Sequence, residues 1–187
     1  MTDREDIATP AESEPESDAL APVATTADET PRKQAAQRMR IAQDDVPHHA
    51  ASRTVPERLA KALDLAVRCA KIADDNRAKD VLLLDLRAAT PLLDFFLIAT
   101  ASTRRLGNAI AIEIDVEMKK VGERKLGMEG TEEGSWILID YGDFVVHLFT
   151  PESRTYYSLE DIWGDAPRID WRDPNPSLPE LTPPAAG

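Results

Sequence analysis

Aromatic residues and glycine are confined to one part of this 187-residue chain, and this confinement limits where a domain can fold. All ten aromatic residues lie between Phe95 and Trp171, and no glycine occurs before Gly107. Twelve of the fourteen prolines lie towards the ends, six within the first 56 residues and six from Pro167 onward. A hydrophobic core needs large apolar side chains, so we expect one domain over residues 55–166 with a tail at each end.

The two expected tails have compositions that do not favour a core. Residues 1–30 contain nine acidic side chains and one basic side chain, and residues 31–54 contain five basic and two acidic side chains. Their net charges are therefore −8 and +3, and we expect residues 1–54 to be disordered because little apolar surface can offset the chain entropy. The basic block is a solvated linker or, alternatively, an arm that contacts RNA phosphates. Residues 167–187 are rich in proline and are expected to form an extended tail.

Charge and cysteine content exclude several classes of protein. The chain has 34 acidic and 22 basic residues, and this net charge of −12 argues against binding nucleic acid over a broad surface. Cys69 is the only cysteine, so disulfide frameworks and multi-cysteine zinc sites are excluded. The N-terminus is acidic where a targeting peptide would be basic. We expect a cytoplasmic protein that uses no metal and no cofactor.

Hydrophobic periodicity predicts an α/β domain. Apolar residues at spacings of three and four predict long helices over residues 56–73 and 103–121. Short apolar runs predict five strands, over residues 81–86, 95–100, 126–129, 136–141 and 144–149. The dipeptide Gly142-Asp143 between the last two strands suits a type II′ hairpin turn. Together with short helical turns near residues 152–157 and 159–163, this predicts a single domain with a mixed, about five-stranded sheet and flanking helices.

Patterns typical of catalysis are weak. Cys69 lies on the apolar side of the first helix, which favours a small core residue over a nucleophile. The enzymatic alternative is a metal-dependent nucleotidyltransferase, because two carboxylates on one strand can hold Mg²⁺. Asp140 and Asp143 are three residues apart and straddle a turn, and no nucleotide-gripping loop precedes them. The spacing therefore disfavours this alternative.

A surface remains as the candidate site. The hairpin region has more large aromatic residues than a small core needs, namely Trp136, Tyr141, Tyr157 and Trp163, although core packing is the alternative for each. An acidic rim would be formed by Asp140, Asp143, Glu132, Glu133 and Glu152. An aromatic centre with an acidic rim suits a basic protein partner.

His147 lies on the second strand of the predicted hairpin and is a further candidate residue. Pairing outward from the turn places it on the same sheet face as Trp136, opposite to the face of Ile137 and Ile139. We expect a neutral, hydrogen-bonded structural histidine there, rather than a partner contact or a pH sensor.

Five stretches between residues 59 and 168 together resemble the ribosomal silencing factor (RsfS) family, also called the Iojap family. They are DFFLIAT at 94–100, TRR at 103–105, LGMEG at 126–130, SWILIDYGDFVVH at 135–147 and YYSLEDIWGDAPR at 156–168. Each stretch alone is a weak signal, but the five together are specific.

This resemblance implies a fold similar to nucleotidyltransferases without their catalytic residues, and a translation factor that is not an enzyme. Members of the family bind the large ribosomal subunit through its fourteenth protein and block joining of the small subunit when nutrients are scarce. The resemblance also implies that the free protein can form a homodimer. The basic residues 31–40 would make at most a minor contact with ribosomal RNA. The residues that we expect to bind the partner are Trp136, Asp140, Tyr141, Asp143 and Tyr157.

Overall fold

A computed structural model describes residues 56–179, which form four helices and six strands. In chain order these are α1 (Pro56–Asp75), β1 (Lys79–Asp85), β2 (Phe95–Thr100), α2 (Arg104–Lys120), β3 (Gly127–Glu129), β4 (Trp136–Asp140), β5 (Phe144–Phe149), α3 (Pro151–Tyr157), α4 (Leu159–Ile162) and β6 (Arg168–Ile169). The predicted N-terminal tail, with its acidic and basic blocks, lies outside the described residues. Of the described helices, none has the length and apolar character needed to cross a membrane.

The two long helices begin where the sequence predicts. Pro56 opens α1, since proline is tolerated in the first helical turn. The side chain of Thr103 caps α2 by accepting a hydrogen bond from the backbone N–H of Leu106 at 3.1 Å. The buried residues of α2 recur every three or four positions, at Gly107, Ile110, Ala111, Ile114 and Met118. This spacing turns one apolar side of the helix towards the sheet.

The strands form one mixed sheet in the order β3-β4-β5-β2-β1-β6. β2 and β5 are parallel and all other neighbours are antiparallel, so the chain crosses over through α2 before it reaches β5. The predicted hairpin of β4 and β5 is confirmed, and the N–H of Tyr141 donates to the carbonyl oxygen of Phe144 at 3.0 Å. Gly142 has a φ of +84°, the positive value that the first central position of a type II′ turn requires.

The sheet has one strand more than the five that the sequence predicts. β6 is only two residues long and pairs antiparallel with β1. Just beyond it Trp171 is buried, and its Nε1–H donates to the carbonyl oxygen of Val81 at 3.1 Å. A two-residue strand is too short to show an alternating pattern in the sequence. The proline-rich composition of residues 167–187 instead predicted an extended tail, and this prediction is wrong for β6.

The sheet separates two hydrophobic cores. The face covered by α1 and α2, here named the helical face, buries mainly aliphatic side chains, including Ile137 and Ile139. The opposite face, here named the aromatic face, buries Phe96, Trp136 and Phe149 and is covered by α3 and α4. Because successive side chains of a strand point to opposite faces, the alternation along β4 and β5 predicts correctly which side chains share a face. The expectation that the aromatic face is a partly exposed surface is wrong for these two strands, since all their residues are buried.

Cys69 lies in the core of the helical face, in the middle of α1. The residue is fully buried, and burial raises the pKa of its thiol well above the ordinary value. A buried protonated thiol behaves as a small apolar group, so the prediction of a core residue is confirmed.

Candidate partner-binding surface

A stack of rings from adjacent strands lies at the centre of the aromatic face. Trp136 of β4 and Phe149 of β5 are paired in the sheet, and their ring centroids lie 5.0 Å apart at an angle of 27°. Tyr157 of α3 lies against this pair, with its ring centroid 4.7 Å from that of Trp136 and 6.2 Å from that of Phe149. Trp136 is 4% exposed whereas Tyr157 is half-buried. The tyrosine is therefore the outer ring of the stack.

The start of α3 explains why Tyr157 returns to the sheet. β5 ends at Phe149, and the next residue, Thr150, is already the helix cap, with a side-chain oxygen that accepts from the N–H of Ser153. The N–H of Thr150 donates to the carbonyl oxygen of Ser135 at 2.9 Å, which ties the helix to the chain just before β4. Pro151 occupies the first helical position. No flexible loop separates strand and helix, so the position of the helix is set by the sheet.

His147 supports the stack from within the sheet. The indole Nε1–H of Trp136 donates to Nδ1 of His147 at 3.2 Å. Because Nδ1 accepts this bond, the neutral ring carries its proton on Nε2. The side chain is fully buried, and burial lowers its pKa to about 3. The prediction of a neutral, hydrogen-bonded structural histidine is confirmed.

A close backbone contact fixes the entrance of β4. Gly130 has a φ of +78°, and a Cβ atom at this position would overlap the carbonyl oxygen of Trp136. Any other residue would force the strand entrance to move. The last glycine of the LGMEG stretch therefore helps to place Trp136.

Asp140 lies at the other end of β4 and is 9% exposed. Its carboxylate accepts a hydrogen bond from the N–H of Gly142 at 2.6 Å. Burial raises the pKa of this carboxyl, and the charge of Glu129 on the neighbouring strand acts in the same direction. The main contact of Asp140 is thus within its own turn.

Tyr141 and Asp143 in the same turn contact the helical side of the molecule. The ring of Tyr141 stacks on Phe144 with centroids 4.9 Å apart, and it packs against the core of the helical face. Asp143 forms an ion pair with Arg58 of α1, in which Nε of the arginine donates to Oδ2 at 2.9 Å. The ion pair therefore joins the hairpin to α1.

The structure brings the five predicted residues together as two groups. Trp136 and Tyr157 are in contact on the aromatic face, whereas Asp140, Tyr141 and Asp143 cluster at the turn. Trp136 and Asp140 are the two ends of β4, four strand positions or roughly 13 Å apart. Tyr141 lies on the opposite face of the sheet. The five residues do not form one continuous patch.

Sequence reasoning missed Tyr156, the most exposed aromatic residue beside the stack. Its side chain is 53% exposed, and its ring meets that of Tyr157 edge to face at a centroid distance of 5.0 Å. The pair of adjacent tyrosines in the sequence could have indicated an exposed ring. Neighbouring residues of a helix point in different directions, so one of the two side chains commonly faces solvent.

A polar cavity of about 420 Å³ lies beside α3 and was also not predicted. Arg154 crosses it and donates to Oε1 of Glu160 at 2.9 Å, to Oγ1 of Thr100 at 2.9 Å and to the carbonyl oxygen of Asp80 at 2.6 Å. These contacts join α3 and α4 to the ends of β1 and β2. No pattern in the sequence connects residues so distant in the chain.

In the region from residue 56 to residue 179, no group of three His, Cys, Asp or Glu side chains is placed to hold a metal ion. The two carboxylates at the hairpin turn make other contacts, Asp140 with a backbone N–H and Asp143 with Arg58.

Comparison with known proteins identifies the family. Residues 59–185 match the family model described as "Ribosomal silencing factor during starvation". The chain is 43% identical over 101 residues to ribosomal silencing factor RsfS of Bacillus subtilis, a match that covers 54% of this chain and 86% of that protein. It is 23% identical over 110 residues to the mouse protein "Mitochondrial assembly of ribosomal large subunit protein 1", covering 57% of this chain and 48% of that protein.

A crystal structure of a Chromobacterium violaceum protein shows the same fold. It matches with a TM-score of 0.52 and 35% sequence identity, over 57% of this chain and 86% of that chain. The similarity to nucleotidyltransferases stays a prediction. The family model and the identity to the Bacillus subtilis factor show that this chain belongs to the RsfS family of ribosomal silencing factors.

Proposed function

We propose that this protein binds the large ribosomal subunit through its fourteenth protein and blocks joining of the small subunit, which represses translation when nutrients are scarce. Membership of the RsfS family and the names of its relatives support a silencing role at the ribosome. The name of the mouse relative supports the large subunit as the partner. The protein acts in this proposal by steric exclusion in the cytoplasm and not as an enzyme.

The layered rings of the aromatic face carry this proposal. Tyr157 packs on the buried pair of Trp136 and Phe149, and the exposed Tyr156 contacts Tyr157 edge to face. Aromatic side chains held rigidly at the centre of an interface lose little entropy on binding and supply most of its free energy. Tyr157 is accordingly the central contact, and Trp136 supports it from below.

Charge complements the aromatic contact. Exposed acidic residues flank the aromatic face along the chain, with Glu132 and Glu133 before β4, Glu152 in α3 and Asp161 in α4. Proteins that bind ribosomal RNA are commonly basic, so opposite charges steer the encounter while the rings set the residence time. In this proposal Asp140, Tyr141 and Asp143 form a second, outlying contact at the turn.

The homodimer of the free protein and the minor contact of residues 31–40 with ribosomal RNA also stay predictions. The basic residues lie outside the part of the chain that the structure describes.

The test adds the purified chain to separated ribosomal subunits of a bacterium and sediments the mixture through a sucrose gradient. The chain should move with large subunits and reduce the peak of joined ribosomes. A Tyr157→Ala variant should lose both effects, and Lys71→Ala, an exposed change on α1, should keep them. Sedimentation away from large subunits, or joining at an unchanged level, would overturn the proposal.

The contact with the fourteenth protein needs its own measurement. Titration of the isolated fourteenth protein of the large subunit with this chain should give saturable binding. The Tyr157→Ala variant should bind more weakly. Binding to large subunits without binding to the isolated protein would assign the contact to another component.

A further inference from the structure

His147 is an unusual residue for the centre of an apolar core. Its side chain is fully buried, and its Nε2–H finds no hydrogen-bond partner within the described residues. An unpaired buried donor destabilises a fold, and a leucine or phenylalanine would avoid it. The histidine must therefore supply something at this position that an apolar side chain cannot.

What it supplies is a hydrogen-bond acceptor. Its Nδ1 accepts from the indole Nε1–H of Trp136, and the two residues stand on neighbouring strands of one face. Ring contacts hold the imidazole in place, with Phe96 edge-on at a centroid distance of 4.7 Å and Phe149 stacked at 6.2 Å. The acceptor is thus presented in one direction.

The indole in turn forms the support for the outer ring. The plane of Trp136 is tilted by 48° from that of Tyr157, at a centroid distance of 4.7 Å. A tryptophan held only by apolar contacts has several orientations of similar energy, whereas a directional hydrogen bond selects one of them. The orientation of Trp136 decides where Tyr157 can rest.

We propose that His147 is a positioning residue of the partner-binding surface, whose Nδ1 fixes the indole of Trp136 in the orientation that supports Tyr157. This inference rests on the proposed function, since it concerns the same contact with the large subunit. His147 does not touch the partner.

The test compares His147→Leu, which removes the acceptor, with His147→Gln, which can keep one. In the full-length chain, His147→Leu should move the indole N–H signal of Trp136 in a ¹H–¹⁵N NMR spectrum and weaken binding to large subunits about tenfold, the size typical of coupling between contacting residues. His147→Gln should restore binding to within a few-fold of the parent. A residue with only a bulk packing role would not show this rescue.

A double-mutant cycle with Trp136→Phe tests whether the effect passes through the indole. Trp136→Phe keeps an aromatic ring but removes the donor, and it should weaken binding by itself. In this background His147→Leu should cause little further loss. An undiminished further loss would overturn the inference.

Each remaining outcome also decides between the positioning role of His147 and its alternatives. If His147→Leu binds like the parent, the positioning role is wrong while the proposed function stands. If His147→Leu does not fold, Trp136→Phe decides alone, and parental binding of that variant overturns the inference. If the parent itself does not bind large subunits, the proposed function fails and the inference fails with it.

Discussion

Both faces of the sheet are buried, but they are covered in different ways. Helices of 20 and 17 residues cover the helical face, and its core is mainly aliphatic. Helices of only seven and four residues cover the aromatic face, where rings and a histidine fill the core. Long helices bury a continuous apolar stripe, whereas one or two turns cannot close a sheet face completely. The aromatic face therefore ends in half-exposed tyrosines.

This difference assigns different roles to the two faces, stability to the helical face and partner binding to the aromatic face. The helical face is a closed scaffold whose side chains meet each other, and the aromatic face is a thin cover whose outer rings can meet a partner. The ion pair of Arg58 with Asp143 joins α1 on the helical face to the turn of the hairpin. Changes on the two faces should thus have separable effects on stability and binding.

The largest expected effect is on the stability of the aromatic face. Trp136→Ala should lower the free energy of unfolding by about 3–5 kcal/mol, because it leaves a large cavity beside Phe149. Ile137→Val, its neighbour on the helical face, should cost only about 0.5–1.5 kcal/mol. Urea denaturation followed by circular dichroism measures both. A Trp136→Ala chain as stable as the parent would show that the rings are not part of a core.

The second prediction separates binding from stability. Tyr157→Ala should weaken binding to large subunits by about 2 kcal/mol, or about 30-fold, with a smaller effect on unfolding. Met118→Ala, a buried change on the helical face, should lower the free energy of unfolding by about 2–5 kcal/mol. At a temperature where both variants are folded, Met118→Ala should bind like the parent. Equal loss of binding in both would remove the distinction between the two faces.

The third prediction concerns acid. The pKa of His147 is about 3 in the folded protein and ordinarily 6.5, so between these values the unfolded chain binds a proton that the folded chain does not. The stability from the neutral histidine is complete above pH 6.5 and is lost as the pH falls, by about 2 kcal/mol at pH 5. Urea unfolding at pH 7.5 and pH 5 should show that the parent loses about this much more than His147→Gln. Equal losses would contradict the prediction.

The smallest expected effect comes from outside both faces. A chain shortened to residues 55–179 keeps β6 and the buried Trp171 but lacks the acidic and basic N-terminal blocks. Binding to large subunits should weaken by no more than a few-fold, and that loss should vanish as salt screens any phosphate contacts. Failure of the folded, shortened chain to prevent subunit joining at any salt concentration would make the N-terminal segment part of the mechanism.

Local patterns are what sequence reasoning recovered. The long helices follow from apolar spacing, and the hairpin follows from Gly142-Asp143 and the alternation on either side of it. These features depend on residues a few positions apart, which a sequence displays directly. β6 escaped prediction because its two residues are a strand only through pairing with β1.

The candidate site stays a prediction, but its arrangement can be compared with the sequence. The sequence by itself selected Trp136 and Tyr157 by their size and their place beside a hairpin. Alternation along β4 already separates Tyr141 from Trp136. Only the tertiary structure decided that Trp136 is buried beneath Tyr157 and that Tyr156 is the exposed ring. The reason is physical. Residue type and spacing set which face of its own element a side chain occupies, but burial depends on what other elements cover that face. Here α3 and α4, which are distant from β4 in local pattern, provide that cover.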